Sequence, residues 1–476
     1  MRLILHHVIL FFLSTAFISA LSAQDSAYKE PIAVIDSWIE AQMIYEKIPG
    51  LTVAIVKDQK LIWSKGYGFA DVENKVPMKP ETLCSICSIS KLFTSIAVMQ
   101  LWEQGKLRLD DSVAMYLPDF KVKQDFESVP ITIRGLLTHS AGLPRESAQG
   151  YWTSPFIFPT EKEINGKLGE QRTLYPSSRE FQYSNLGMTL LGQIVAKVSG
   201  MPYDQYVQEK ILKPMGLSNT RPIMPKELYG TALAKGYSGL PRDGKRRLLP
   251  YFTANGITPA AGFSSSALDL AKFAQWQNRL LKSKTPEILK QSTLREMQRV
   301  QWYDPAGNNN WGLGFVVTKE GEKTIVGHDG FCPGYRTFVD LDPASGLAVV
   351  VFINSAGLNQ DKFSKGIFKI MNSYESAEAS AKGPGNLADY AGRYDDIDWG
   401  NETLIAPWKG KLVVYSLPSD DPISAKPRLL IPTSAPDVFR ADRKDDLPGV
   451  PIYFERDVNG QVRRMREHNN ASEKMR

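Results

Sequence analysis

Strand-forming segments gather at the two ends of residues 24–375, with a long stretch of turns and helices between them, and this distribution restricts the folds open to the chain. Leu51–Val56 and Leu61–Ser64, separated by Lys57-Asp58-Gln59-Lys60, read as a β-hairpin. Leu313–Thr318, Lys323–Val326, Tyr335–Asp340 and Leu347–Ile353 are broken by turn residues, as in an antiparallel meander. Strands at both ends suggest one sheet built from the two termini of a single domain. The middle then becomes a helical insertion packed beside that sheet. Apolar residues at helical spacing support helices over Pro31–Lys47, Leu92–Leu101, Gly187–Val198, Ala267–Leu281 and Asp361–Tyr374.

The remaining segments fall outside this unit. Residues 1–23 carry Arg2, the apolar run Val8–Ile18 and the small residues Ala20-Leu21-Ser22-Ala23, the pattern of a cleaved secretory signal. Left uncleaved, the run would be an anchor, but it is short for a bilayer span. The expected location is therefore secreted or periplasmic, with no stable membrane insertion after cleavage. Residues 376–385 are small and rich in Gly and Pro, a linker composition. Residues 386–476 hold short apolar runs such as Leu412–Tyr415 and Ile452–Phe454, consistent with a small β-domain. The charged tail Arg463–Arg476 is expected to fray.

A chain of 476 residues that is 43% hydrophobic has enough apolar content for a large core. Its formal charge of +6 is scattered, with no basic stripe interleaved with aromatics, so nucleic acid is not an expected partner. Three histidines follow the signal, His139, His328 and His468, and none has metal-ligand spacing; no metal or other cofactor is expected. Cys84, Cys87 and Cys332 read first as small buried hydrophobes, with a bridge from Cys332 to Cys84 or Cys87 as the alternative in an oxidising compartment.

Reactive chemistry is suggested by Ser88-Ile89-Ser90-Lys91 at the start of a helix. Positions i and i+3 share a helix face, so Ser88 Oγ and Lys91 Nζ can meet. A neighbouring amine of lowered pKa is one way to deprotonate a serine. The spacing alone is weak, because Ser26 and Lys29 repeat it by chance in a polar stretch. Tyr183-Ser184-Asn185 supplies a phenol that could relay the proton and an amide that could bind a carbonyl or steady Lys91. His328-Asp329-Gly330-Phe331 follows a strand and supplies a titratable ring and a glycine allowing close backbone approach. His139, in the turn Leu137–Pro144, reads as structural.

Together these stretches resemble the serine β-lactamase and penicillin-binding-protein superfamily, in the branch of class C β-lactamases, D-amino-acid peptidases and related serine esterases. Ser-x-x-Lys, Tyr-x-Asn and His-x-Gly occur in that order, and Leu137–Pro144, Pro259–Phe273 and Trp311–Gly314 also match. The resemblance covers roughly residues 30 to 372. It implies an α/β (α+β) sandwich, an antiparallel sheet flanked by helices beside an all-helical lobe, with a lipocalin-like C-terminal β-domain. It implies Ser88 as nucleophile, with Lys91 and Tyr183 as its base system and Asn185 positioning the substrate carbonyl. Backbone N–H groups of Ser88 and Phe331 would form the oxyanion hole.

Many relatives carry Lys-Thr-Gly where this chain has His328-Asp329-Gly330. A largely neutral histidine beside an added carboxylate weakens the case for binding a substrate carboxylate, although Arg336 could compensate. The expectation is hydrolysis of a small-molecule or peptide ester or amide, with little β-lactamase activity. The competing expectation is a non-catalytic protein that binds cell-wall peptides or self-assembles.

Overall fold

The computed structural model describes residues 26–475, except 127–128, 148–149, 304–308, 359–360, 380–384, 397–400, 423–426, 444 and 446. The expected signal and part of the expected linker thus lie outside the described residues. Both strand groups join one antiparallel sheet. Its strands are β1 (Gly50–Lys57), β2 (Lys60–Asp71), β3 (Val76–Pro77), then, beyond the helical lobe, β6 (Asn309–Trp311), β7 (Val316–Glu320), β8 (Lys323–Cys332), β9 (Tyr335–Asp342) and β10 (Leu347–Ile353). A two-stranded pair, β4 (Cys84–Ser85) and β5 (Ser264–Ser265), lies between these groups in the chain. The sheet order is β3-β2-β1-β10-β9-β8-β7-β6, so the N-terminal hairpin lies directly against the last strand. The β1–β10 register runs from Leu51↔Ile353 to Lys57↔Leu347.

Both faces of the sheet are covered, and this explains why β10 is a continuous apolar run rather than an alternating one. Leu347, Val349, Val351 and Ile353 enter a core with helices α1 (Lys29–Tyr45) and α5 (Asp361–Ser376). Ala348, Val350 and Phe352, from the opposite face, enter the larger core of the helical lobe. That lobe is centred on α2 (Ser90–Glu103), α3 (Asn185–Ser199) and α4 (Ala267–Lys282). Helix α2 is buried on nearly all sides, as expected for a central helix with no polar stripe.

The C-terminal unit is a closed eight-stranded barrel of β11 (Gly392–Asp396), β12 (Asn401–Trp408), β13 (Lys411–Leu417), β14 (Arg428–Pro432), β15 (Val438–Ala441), β16 (Pro451–Arg456), β17 (Val462–Glu467) and β18 (Asn470–Lys474). Pairing of β11 with β18, Tyr394 opposite Lys474, closes the ring. The tail therefore does not fray. Val462 and Met465 point into the barrel core, while the arginines between and beside them face outward and pair with Glu455 and Glu473. Tyr390, Phe439 and Phe454 meet inside at centroid distances of 4.8–5.4 Å.

Outward residues of β12 and β13, including Leu404, Trp408, Tyr415 and Leu417, belong to the same core as α1 and α5. Polar ties complete this seam. Trp38 Nε1 donates to the Ser419 carbonyl at 2.8 Å, the Lys409 N–H donates to Glu30 at 2.7 Å, and Lys369 pairs with Asp421 at 2.8 Å. Among the described residues, no helix is long and apolar enough to cross a membrane.

Candidate active site

Ser88 sits in a single 3-10 turn, Cys87–Ile89, which leads into α2. Cys87 adopts φ +52°, an uncommon conformation for a residue with a side chain. It is held there from several directions. Ser90 Oγ donates to the Cys87 carbonyl at 2.6 Å and accepts the Phe263 N–H at 3.0 Å. The Ile86 N–H donates to the Phe263 carbonyl at 2.9 Å, and Thr337 Oγ1 donates to the Ile86 carbonyl at 3.1 Å. Ser88 is the only residue of 82–90 that is not fully covered. The fold therefore presents this hydroxyl on a strapped turn.

Lys91 lies one helical turn further on, fully buried, with its ammonium donating to Ser88 Oγ at 3.1 Å, Asn185 Oδ1 at 2.8 Å and the Ala260 carbonyl at 2.8 Å. None of these acceptors carries a negative charge. Burial consequently pushes the ammonium down to about 7, with Glu146 opposing that effect and Arg145 adding to it. An amine with this proton affinity exists partly as the free base near neutral pH. That is the state a proton acceptor for Ser88 requires.

Tyr183 stands at the N-terminal side of α3, in hydrogen-bond contact with Ser88. Its ring centroid lies 4.8 Å from Lys91 Nζ and 4.4 Å from the His139 ring. Burial raises its hydroxyl above the ordinary phenol range, so Tyr183 stays protonated where Lys91 does not. The two residues expected to form the base system therefore differ in proton affinity: burial pushes Lys91 towards its neutral form and holds Tyr183 in its protonated form. His139 matches its structural reading. It is buried at φ +56°, accepts the Ser184 N–H through Nδ1 at 3.2 Å and backs the Tyr183 ring. Asn185 opens α3 with its amide oxygen on Lys91, so in this state it steadies the lysine.

His328, Asp329 and Gly330 lie inside a strand rather than after one. Strand β8 continues to Cys332 because it pairs with β9 across the Pro333-Gly334 turn, from Val326↔Leu341 to Cys332↔Tyr335. On its other side β8 pairs with β7 only as far as Gly327. The stretch His328–Cys332 thus has β9 along one edge and no described strand along the other. Gly330 faces the Ser88 turn at a spacing that only glycine permits: a Cβ there would collide with the Ile86 carbonyl and Thr337 Oγ1 and press on Cys87. We expect Gly330→Ala to push β8 away from Ser88 and slow covalent labelling of Ser88 at least about tenfold, through loss of oxyanion geometry. A labelling rate equal to that of the native chain would contradict this placement.

His328 is buried, with Nδ1 2.6 Å from the Asp329 carbonyl. Burial pushes it well below the ordinary histidine value, with Lys91 adding to the shift and Asp329 opposing it. It is neutral near pH 7, so its 4.0 Å approach to the Asp329 carboxylate is not an ion pair. Arg336 is covered, with its guanidinium against the ring of Phe331, which is 52% exposed. All three cysteines are buried free thiols that pack as small hydrophobes, with no bridge from Cys332. Cys87 and Cys332 are in side-chain contact. Among the described residues, no group of His, Cys, Asp and Glu could hold a metal ion.

Sequence reasoning passed over Glu146 and Tyr151. Glu146 accepts from Asn185 Nδ2 at 2.7 Å, lies 3.2 Å from Arg145 Nε and accepts from the Tyr151 hydroxyl. The signal was an acidic residue just past the Ser140–Pro144 turn, which carries little weight before the fold brings that turn to α3.

The family model described as Beta-lactamase matches residues 35–369, which span every group named above. The chain belongs to the β-lactamase family. Protein flp of Staphylococcus aureus is 28% identical over 322 residues, covering 67% of this chain and 62% of that protein. The chain thus spans less than two thirds of the length of the curated relatives it matches. Among solved structures, an octameric penicillin-binding protein homologue from Pyrococcus abyssi superposes with a TM-score of 0.64 at 24% identity, covering 93% of this chain and 99% of that one. A D-amino acid amidase from Ochrobactrum anthropi SV3 does so at 0.58 and 24% identity, over 72% and 96%. At these identities the likeness concerns the fold, including, for the first, the region of the barrel.

Proposed function

We propose that this β-lactamase-family chain is an exported serine hydrolase that cleaves an ester or amide through an acyl-enzyme on Ser88. The observation that carries this reading is the buried Lys91 ammonium, 3.1 Å from Ser88 Oγ and with only neutral hydrogen-bond acceptors. Neutral Lys91 takes the Ser88 proton, directly or through Tyr183, as Oγ attacks the substrate carbonyl carbon. The developing oxyanion lies between the backbone N–H groups of Ser88 and Phe331. The proton passes to the leaving alcohol or amine as its bond to the carbonyl carbon breaks. Water then attacks the acyl-enzyme, with Lys91 and Tyr183 again handling its proton, and Ser88 is restored. A substrate could lie extended along the open edge of His328–Cys332, adding a strand while its carbonyl reaches Ser88. With His328 neutral and Asp329 beside it, the site offers a β-lactam carboxylate no fixed cation where many relatives have lysine, so β-lactamase activity should be slight.

The test is mass spectrometry of the purified chain against fluorophosphonate, p-nitrophenyl esters, D-amino-acid amides and nitrocefin. Adducts on Ser88 with turnover of an ester or amide are expected, and the rate should rise with pH through about 7 as Lys91 loses its proton. Nitrocefin turnover at the rate of an efficient β-lactamase would overturn the substrate assignment. An unlabelled Ser88 would favour the non-catalytic alternative.

A further inference from the structure

Glu146 faces the site from the loop after the Leu137–Pro144 turn, and its carboxylate is mostly covered, with 19% of the side chain exposed. Both of its oxygens are engaged. Oε1 accepts from Asn185 Nδ2 at 2.7 Å and lies 3.2 Å from Arg145 Nε, and Oε2 accepts from the Tyr151 hydroxyl. The other end of the same amide, Asn185 Oδ1, accepts from Lys91 at 2.8 Å. Turned over, that amide would set its NH2 against an ammonium and its oxygen against a carboxylate. Both contacts would be repulsive, so the carboxylate determines which end of Asn185 meets Lys91.

The charge has a second effect. Lys91 is faced by Ser88 on its own turn, by Tyr183 and Asn185 at the start of α3, and by the Ala260 carbonyl. Glu146, Arg145, Cys332 and Asp329 act on it electrostatically, and it acts on His139 and His328. Of these groups only Glu146 and Asp329 carry a carboxylate. Asp329 is the more solvated, its side chain being 45% exposed, so its field at Lys91 is the more screened.

We propose that Glu146 is a positioning residue of the Ser88 site: it locks the Asn185 amide with its oxygen on Lys91 and holds a carboxylate one side chain away from that ammonium. This rests on the reading of Ser88 and Lys91 as nucleophile and base. The carboxylate opposes the effect of burial on Lys91, so the amine holds a proton more readily between taking it from Ser88 and giving it to the leaving group.

Glu146→Gln keeps the shape and an acceptor oxygen but removes the charge. Followed by fluorophosphonate labelling of Ser88, its acid limb should move about one pH unit lower than that of the native chain, because the neutral lysine survives to lower pH. Glu146→Ala, which also frees the Asn185 amide, should lower the maximal labelling rate about tenfold, and Gln should restore that rate without restoring the limb. A purely structural glutamate would change the rate or the melting temperature and leave the limb in place, so unmoved limbs in both variants overturn the inference. If native Ser88 is not labelled at all, the hydrolase reading fails instead. The Lys91 titration is then read from its side-chain 13C NMR signal, assigned with Lys91→Arg, and an unshifted titration in Glu146→Gln overturns the inference independently.

Discussion

Lys91→Met is expected to label at Ser88 about a thousandfold more slowly than the native chain, or less still, matching Ser88→Ala within the limits of detection. Methionine fills much of the same buried volume, so the loss would report chemistry more than packing. The Asn185 oxygen and the Ala260 carbonyl lose a donor, at a cost of about 1–3 kcal/mol for each acceptor left unsatisfied. Removing a buried ammonium relieves its desolvation, which acts in the opposite direction. The melting temperature should therefore change far less than the rate. Labelling within about tenfold of native would show that Ser88 is activated by some other group, and the proposed function would lose its central observation.

Deleting the barrel should produce the largest effect on stability. Outward side chains of β12 and β13, Leu404, Trp408, Tyr415 and Leu417 among them, share a core with Trp38, Phe363 and Ile367 of α1 and α5. A fully buried side chain of this size contributes roughly 1.5–3 kcal/mol by burial. Ending the chain at Gly385 would expose this helical face as one apolar patch, the kind that promotes aggregation. We expect the truncated protein to melt at least about 10 °C lower or to precipitate, since each kcal/mol shifts a domain of this size by a few degrees. A truncated chain that stays monomeric and melts within a few degrees of full length would show the seam to be energetically minor.

Much of this architecture was legible in the sequence because its signals are local. Ser88 and Lys91 lie on one helix turn, and β1 and β10 are apolar runs long enough to identify as strands. Less was legible where the determining partner is remote. Strand β8 looked as if it ended at Val326, because Gly327, Gly330 and Pro333 are ordinarily breakers; pairing with β9 carries it to Cys332. The final two strands resembled a charged tail, because only Val462 and Met465 of β17 reach the barrel interior, while Arg463, Arg464 and Arg466 meet carboxylates on neighbouring strands. Glu146 was missed for the same reason, since its partner Asn185 is 39 residues away in sequence. The difference in proton affinity between Lys91 and Tyr183 was also out of reach, because it depends on what surrounds each group.

The register Leu51↔Ile353 has a temporal consequence. Strand β1 is made early and must wait until nearly all of the β-lactamase-like region exists before it meets β10. Its hairpin partner β2 is available at once. This is a topology of high contact order, in which sheet closure pays its loop entropy late and folding is slow. During that interval β1 has an unpaired backbone edge, and core residues on both of its faces lack part of their cover. An unpaired edge of this kind is a template for association with other chains, so the yield on expression should depend more on the fate of that waiting hairpin than on the final stability of the fold.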